Sequence, residues 1–289
     1  MHTTLITAPT LQSLIARGQP LKIFDCSFDL TRASVGHQQY LEGHIPGAIY
    51  ADLDKDLSDK RPDAQPRPAS GGRHPLPDRE RFASWLRQVG LTNDLQVVVY
   101  DRQGSSFCGR LWWMLKWMGH EAVAVLDGGL QAWQATGGAL QAGAGPDAIT
   151  VGDFVARAPL TELVTVDQVA GQLGQGSQTI VDARAEPRYR GETEPLDPVA
   201  GHIPGALNRP YTLNMTGDGR FKPADQLRQE FLALLGPRDP ASVVHQCGSG
   251  VTATANLLAM EIAGLGRARL FAGSWSQWCS DPSRPVERG

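Results

Sequence analysis

A chain of 289 residues with a net charge of -3, 41% hydrophobic and 20% charged residues has an ordinary globular composition and is too long for one comfortable core. Nothing in that balance suggests nucleic acid or an anionic membrane as a partner, and no apolar run approaches the roughly 20 residues a membrane span needs. Met1 to Gly18 shows no basic n-region or cleavage pattern, so no secretory signal is expected and the cytoplasm is the expected compartment. Cys26, Cys108, Cys247 and Cys279 form no C-x-x-C pair, the histidines make no H-E-x-x-H, and no G-x-G-x-x-G or Walker loop appears. Neither a metal nor another cofactor is expected.

In chain order, one unit is written twice. Leu21 to Asp25 reads as a short buried strand, followed by Gly43-His44-Ile45-Pro46-Gly47-Ala48. Thr179 to Asp182 reads the same way and is followed by Gly201-His202-Ile203-Pro204-Gly205-Ala206. The helical stripe of Phe82, Leu86 and Val89 returns as Leu227, Phe231 and Leu234 at an offset of 145 (227 - 82). At that offset the strand at Val97 to Tyr100 meets Ser242 to His245, and Trp133 meets Trp278. Strands alternating with helices of this length predict βαβ crossovers and a parallel sheet in each half. Between the halves runs a Gly/Ala/Pro-rich segment in which Ile149 to Phe154 could form a strand. His44 and His202 recur with their motif and read as ties between loop and sheet.

The halves differ in two places. Between GHIPGA and the next helix the first half carries extra residues, which fall in Ala51 to Pro77, a proline-rich, charged stretch. Long loops without secondary structure are uncommon in compact domains and are often functional. The second difference is His245-Gln246-Cys247-Gly248-Ser249-Gly250-Val251-Thr252-Ala253, between an apolar run and a helix-like segment, Thr252 to Ala263. Glycines flanking a small serine allow a tight curve in which backbone N–H groups converge, and the positive end of the next helix adds to them. Such a nest stabilises a thiolate, the nucleophilic form of cysteine. Cys247 is therefore the candidate nucleophile, and the loop residues Gly248, Gly250, Val251 and Thr252 are candidates to bind its substrate. A cysteine phosphatase would place an arginine six positions after the cysteine; here that position is Ala253. Moved back by the repeat offset, Cys247 falls on Arg102, so the first half keeps the loop and lacks the nucleophile. Cys108, at the position of Ala253, reads as core.

Two copies of GHIPGA, a single cysteine loop and a closing Gly273-Ser274-Trp275-Ser276-Gln277-Trp278 resemble the two-domain rhodanese sulfurtransferases over nearly the whole chain. The resemblance implies an α/β fold of two tandem rhodanese-like domains, each a parallel sheet flanked by helices. An N-terminal domain without the cysteine would cover 1–140, a linker 141–158, and a C-terminal catalytic domain 159–289. Within the family, Cys247 to Ala253 is similar to the loop of 3-mercaptopyruvate sulfurtransferases. The thiosulfate-using branch carries two basic residues after the cysteine, where this chain has Gly248 and Ser249. A loop without side-chain cations also suits a monoanionic keto acid better than a dianion.

The family matches Ser249 with a histidine and an aspartate, which places those roles on His74 and Asp59. The three would form a Ser-His-Asp set that manages protons or polarises the substrate carbonyl, with Asp59 holding the His74 tautomer. Arg188 matches the arginine that holds the substrate carboxylate. The family's second arginine has no counterpart, because that place reads Glu194-Pro195-Leu196-Asp197; Arg190 stands nearby. Arg184 reads as structural, and Trp275 as either core or the site entrance. The implied activity moves sulfur from the small molecule 3-mercaptopyruvate, through a Cys247 persulfide, to a thiol, a thioredoxin-like protein or cyanide. The alternatives are thiosulfate as donor on the same scaffold, and a non-catalytic rhodanese-like binding protein.

Overall fold

The structure is a computed structural model describing residues 1–146 and 148–289. Asp147, inside the linker expected over 141–158, lies outside the described residues. Two compact units form. The first comprises Met1–Asp59, Pro77–Leu160 and Gly217–Phe221, and the second comprises Lys60–Leu76, Thr161–Thr216 and Lys222–Gly289. Residues 60–76 continue the first half in sequence but pack with the second unit.

In the first unit the order is β1 (Leu5–Ile6), α1 (Ala8–Ala16), β2 (Leu21–Asp25), α2 (Ser34–Glu42), β3 (Ile49–Tyr50), α3 (Arg79–Gln88), β4 (Gln96–Tyr100), α4 (Cys108–Trp117), β5 (Val123–Leu126) and α5 (Gly129–Ala135). The strands make one parallel sheet, β1-β5-β4-β2-β3. Val97, Val98 and Val99 are fully buried: a continuous β-branched run has no polar face to offer water, so it takes the centre of a sheet covered on both sides. Asp78 caps α3 by accepting from the Glu80 and Arg81 amides, and the helix buries Phe82 and Leu86. The strand allowed for Ile149 to Phe154 does not form. That segment instead bonds through Gly152 N–H to Arg87 O and through Phe154 N–H to Leu91 O, at the end of α3.

The second unit follows with α6 (Val166–Gly171), β6 (Thr179–Asp182), α7 (Glu186–Arg190), β7 (Leu207–Asn208), α8 (Ala224–Leu235), β8 (Val243–Gln246), α9 (Ala253–Ile262), β9 (Arg269–Leu270) and α10 (Ser274–Trp278). Its parallel sheet is β7-β6-β8-β9. On α8 the fully buried stripe is Leu227, Phe231 and Leu235, with Leu234 half-buried; a straight i, i+4 row faces the core where the repeat alone points to Leu234. Thus the chain is an α/β protein of two parallel-sheet units. Among the described residues no helix is long and apolar enough to cross a membrane.

The repeated GHIPGA does the same work in each unit. His44 Nδ1 meets Tyr40 O at 2.8 Å and His202 Nδ1 meets Tyr189 O at 2.8 Å. Each imidazole stacks on that tyrosine, with centroids 4.0 and 3.8 Å apart. The tyrosine hydroxyls in turn donate to Ala48 O and Ala206 O. Through Nδ1 both histidines tie the motif to its neighbouring helix and not to the sheet, because the backbone carbonyl within reach is that of the stacked tyrosine.

Candidate active site

Cys247 follows β8 directly, and α9 begins six residues later at Ala253. The site therefore lies at the carboxyl end of a central parallel strand, where open α/β sheets place their ligands. α10 holds the loop in shape. Trp275 N–H donates to Cys247 O at 3.0 Å and Ser276 N–H to Gly248 O at 2.9 Å, while Cys247 N–H donates to Ser274 Oγ at 3.1 Å. Ser274 Oγ passes the contact on to Phe271 O. Gly250 has φ +72, and a Cβ there would overlap the Ala272 carbonyl, so only glycine fits. The amides of Gly248, Ser249, Val251 and Thr252 have no acceptor among the described residues. They stand open at the positive end of a ten-residue helix. Cys247 is 2% exposed, and the groups around its loop are polar.

The segment 60–76 brings the second part of the site. Gly71 lies against the Gln277 side chain and Gly72 against the Gly273 carbonyl, so the backbone rests on the first turn of α10 with no room for side chains. Arg73 N–H donates to Ser276 Oγ at 3.0 Å. The next residue, His74, then meets Ser249: Nδ1 and Oγ are 2.7 Å apart, both residues buried, with the donor set by the imidazole tautomer. Asp59 belongs to the first unit, where it is buried with Arg81 Nε 3.7 Å from its carboxylate.

Beside the loop lies a network of guanidinium and carboxylate groups. Arg184 is saturated by Asp182 at 2.7 Å, Glu194 at 3.3 Å and Gly201 O at 2.7 Å, and lies 4.7 Å over the Trp275 ring. It is structural. Trp275 is fully buried, its Nε1–H donating to Val199 O, so it is a wall of this network and not an entrance. Arg188 is held by Glu194 through Nε and Nη2 and by Asp197 through Nη2. Burial opposes ionisation of Glu194, but the hydrogen bonds from Arg188 hold its carboxyl below the usual range. Asp197 is pushed the other way, first by burial, with Arg73 opposing. Arg190 pairs with Glu186 on an exposed face.

The residue that sequence reasoning passed over is Arg73. Its Nη1 donates to Asp197, and its Nη2 lies 3.0 Å from the point a Cβ on Gly248 would occupy; Arg188 Nη1 lies 3.6 Å from the same point. The loop carries no cation of its own, yet two guanidiniums flank it. The available signal was the Gly-Gly turn just before Arg73-His74 in a stretch already marked as functional. Another buried imidazole, His245, is set apart from this chemistry: burial first, with Arg209 adding, drives its pKa down to about 3, and its Nε2 faces Met260 Sδ. Gln246 is fully buried with both side-chain amide atoms unpartnered.

The arrangement can hold a sulfur anion in open amides, present a hydroxyl–imidazole pair beside it, and offer guanidinium groups to an anionic substrate. Comparison with known proteins gives the family. The rhodanese-like domain model matches residues 7–136 and 165–281. A protein of Pseudomonas aeruginosa named "Probable 3-mercaptopyruvate sulfurtransferase" is 48% identical over 97% of both chains. A provisionally named thiosulfate sulfurtransferase, SseB of Mycobacterium tuberculosis, is 40% identical over 99% of this chain and 97% of its own. Among solved structures, SseA from Escherichia coli, described as a 3-mercaptopyruvate sulfotransferase of the rhodanese fold, superposes with a TM-score of 0.78 at 33% identity, covering 95% of this chain and 100% of SseA.

Proposed function

Because the chain belongs to the rhodanese-like domain family, we propose that it is a sulfurtransferase that takes sulfur from 3-mercaptopyruvate through a persulfide on Cys247. The Cys247 thiolate attacks the substrate sulfur, the carbon–sulfur bond breaks, and its electron pair goes to C3, stabilised as the enolate by the adjacent carbonyl. The proton of the substrate thiol ends on C3, giving pyruvate and a Cys247 persulfide anion held by the amides of Gly248, Ser249, Val251 and Thr252. Ser249 and His74 polarise the carbonyl and relay that proton. An acceptor thiolate or cyanide then attacks the outer sulfur, and Cys247 leaves as thiolate. Arg188 holds the substrate carboxylate. The same reading places the protein in the cytoplasm, a reducing compartment in which four cysteines outside any disulfide are at home.

The observation that carries this reading is the 2.7 Å contact between His74 and Ser249 in a loop that presents open amides and no cation of its own. A hydroxyl–imidazole pair has proton and carbonyl work to do on a keto acid and none on thiosulfate. The relative named for thiosulfate keeps that donor as the second reading, and a direct comparison separates the two. Wild-type kcat/KM is expected to be at least about 10-fold higher for 3-mercaptopyruvate than for thiosulfate; the reverse order would overturn the assignment. Donor treatment should add the mass of one sulfur at Cys247 and none in Cys247→Ser, whose transfer activity should be lost. No added mass on the wild type would leave a binding protein.

A further inference from the structure

We propose that Ser274 is a positioning residue for the nucleophile, a serine held in a glycine's backbone conformation so that its hydroxyl can fix the Cys247 amide. The inference rests on the reading of Cys247 as the sulfur carrier and adds a residue to the machinery around it. Ser274 is fully buried at the start of α10 and has φ +53. Left-handed backbone is uncommon for a residue with a Cβ, and such strain collects at functional sites. The first unit makes the same turn with glycine: 145 residues earlier (274 - 129) stands Gly129, with φ +58. A Cβ on Gly129 would lie 2.4 Å from Asp101 O, so the cysteine-free copy has no room for a serine. The second copy makes that room and accepts the strained backbone.

What the serine adds is its hydroxyl. Ser274 Oγ accepts the Cys247 N–H at 3.1 Å and donates to Phe271 O at 2.9 Å, so the oxygen is itself oriented. Trp275, the next residue, donates its N–H to Cys247 O at 3.0 Å. Both polar backbone groups of Cys247 are thus taken by consecutive residues of α10, which keeps the peptide units on either side of its Cα from turning. A third fastening, Ala183 N–H to Gln246 O at 2.8 Å, holds the end of β8. The cysteine sulfur therefore keeps one place relative to the amides of Gly248, Ser249, Val251 and Thr252. Cys247 uses that place three times in a cycle, as attacking thiolate, as carrier and as leaving group, so a loosened backbone would slow both half-reactions. Ser105, the other non-glycine residue with positive φ among the described residues, lies in the loop without a cysteine and supplies a control.

The test uses the full-length protein and follows the two half-reactions separately: pyruvate released in a single turnover of 3-mercaptopyruvate, and thiocyanate formed when cyanide discharges the loaded protein. Ser274→Ala keeps the strained backbone without the hydroxyl, and Ser274→Gly relieves the strain as well. Both rate constants are expected to fall about 10- to 100-fold in each variant, the scale of a reacting atom displaced by up to about 1 Å, with KM for the donor within about 3-fold. Ser274→Gly should nevertheless have a higher Tm than Ser274→Ala, and Ser105→Gly should leave both rates at the wild-type value. Unchanged rates in Ser274→Ala, or a loss confined to one half-reaction, would overturn the proposal. So would rates that recover in Ser274→Gly along with its Tm, since the serine would then only support the fold. A wild type that prefers thiosulfate, or whose Cys247 takes up no sulfur, would instead sink the functional reading itself, so the two failures are distinguishable.

Discussion

The two strand-to-helix loops have the same ancestry in the repeat and opposite states of occupation. In the first, the Asp101 carboxylate folds into its own loop: Oδ1 accepts from the amides of Gln103 and Ser105, and Oδ2 from those of Phe107 and Cys108, all between 2.8 and 2.9 Å. At the nucleophile position, Arg102 is tied to Asp25 at 2.9 Å, to Ser27 Oγ at 2.9 Å and to the carbonyls of Gln39 and Gly43. In the second loop the residue at Asp101's place is Gln246, whose uncharged side-chain amide is unpartnered, and the amides of Gly248, Ser249, Val251 and Thr252 have no acceptor among the described residues. Such a loop binds an anion by its backbone geometry alone. The first copy supplies the anion from its own chain and becomes scaffold, whereas in the proposed function the second keeps that place for the sulfur anion of the persulfide. Cys108 fits the scaffold: it is buried, and burial first, with Asp101 adding, pushes its thiol up, away from the thiolate.

The strongest test tries to convert the closed loop. Arg102→Cys restores a cysteine but strips the fully buried Asp25 of its guanidinium, at a cost of about 3–5 kcal/mol. Urea unfolding should show that loss, and donor treatment should place no sulfur at position 102, because Asp101 still fills the amides. Sulfur found there would mean that the internal carboxylate is not what silences the first loop. The converse, Gln246→Asp, gives the open loop its own anion and should lower kcat/KM about 100-fold, the scale of a lost oxyanion donor. Unchanged turnover would show that the amides are not the binding element.

A smaller effect sharpens the contrast between the units through pH. Asp56 in the first unit is pushed up to about 6, chiefly by burial and also by the Asp52 carboxylate. The folded state then binds more protons than the unfolded one between about pH 4 and 6, so this stability is present in acid and is lost as pH rises through about 6. His245 in the second unit is depressed; its contribution is present above the ordinary histidine value and is lost as pH falls toward about 3. Asp56→Asn should therefore stabilise the protein at pH 7 by about 2 kcal/mol and give no gain at pH 4, read from Tm at the two pH values. An equal gain at both would assign the effect to packing.

Much of the fold was legible because it is local and repeated. The valine run of β4, the Asp78 cap and the paired GHIPGA motifs each declare themselves over a few residues, and the 145-residue offset aligns Asp101 and Arg102 with Gln246 and Cys247. The cysteine loop was legible for the same reason, since glycine spacing and a following helix are properties of contiguous chain. Leu235 and the irregular path of 149–154 were not, because packing chose between options that propensity left nearly equal.

Sequence by itself determined that two α/β units of one pattern are present and that a single loop keeps its cysteine, since backbone curvature and hydrophobic period are written in neighbouring residues. Tertiary structure alone decided that residues 60–76 pack with the second unit and that Arg73 stands beside Arg188. Contacts between residues more than a hundred positions apart depend on how the intervening chain folds back, and hydrogen-bonding capacity is spent or spared only once that path is set.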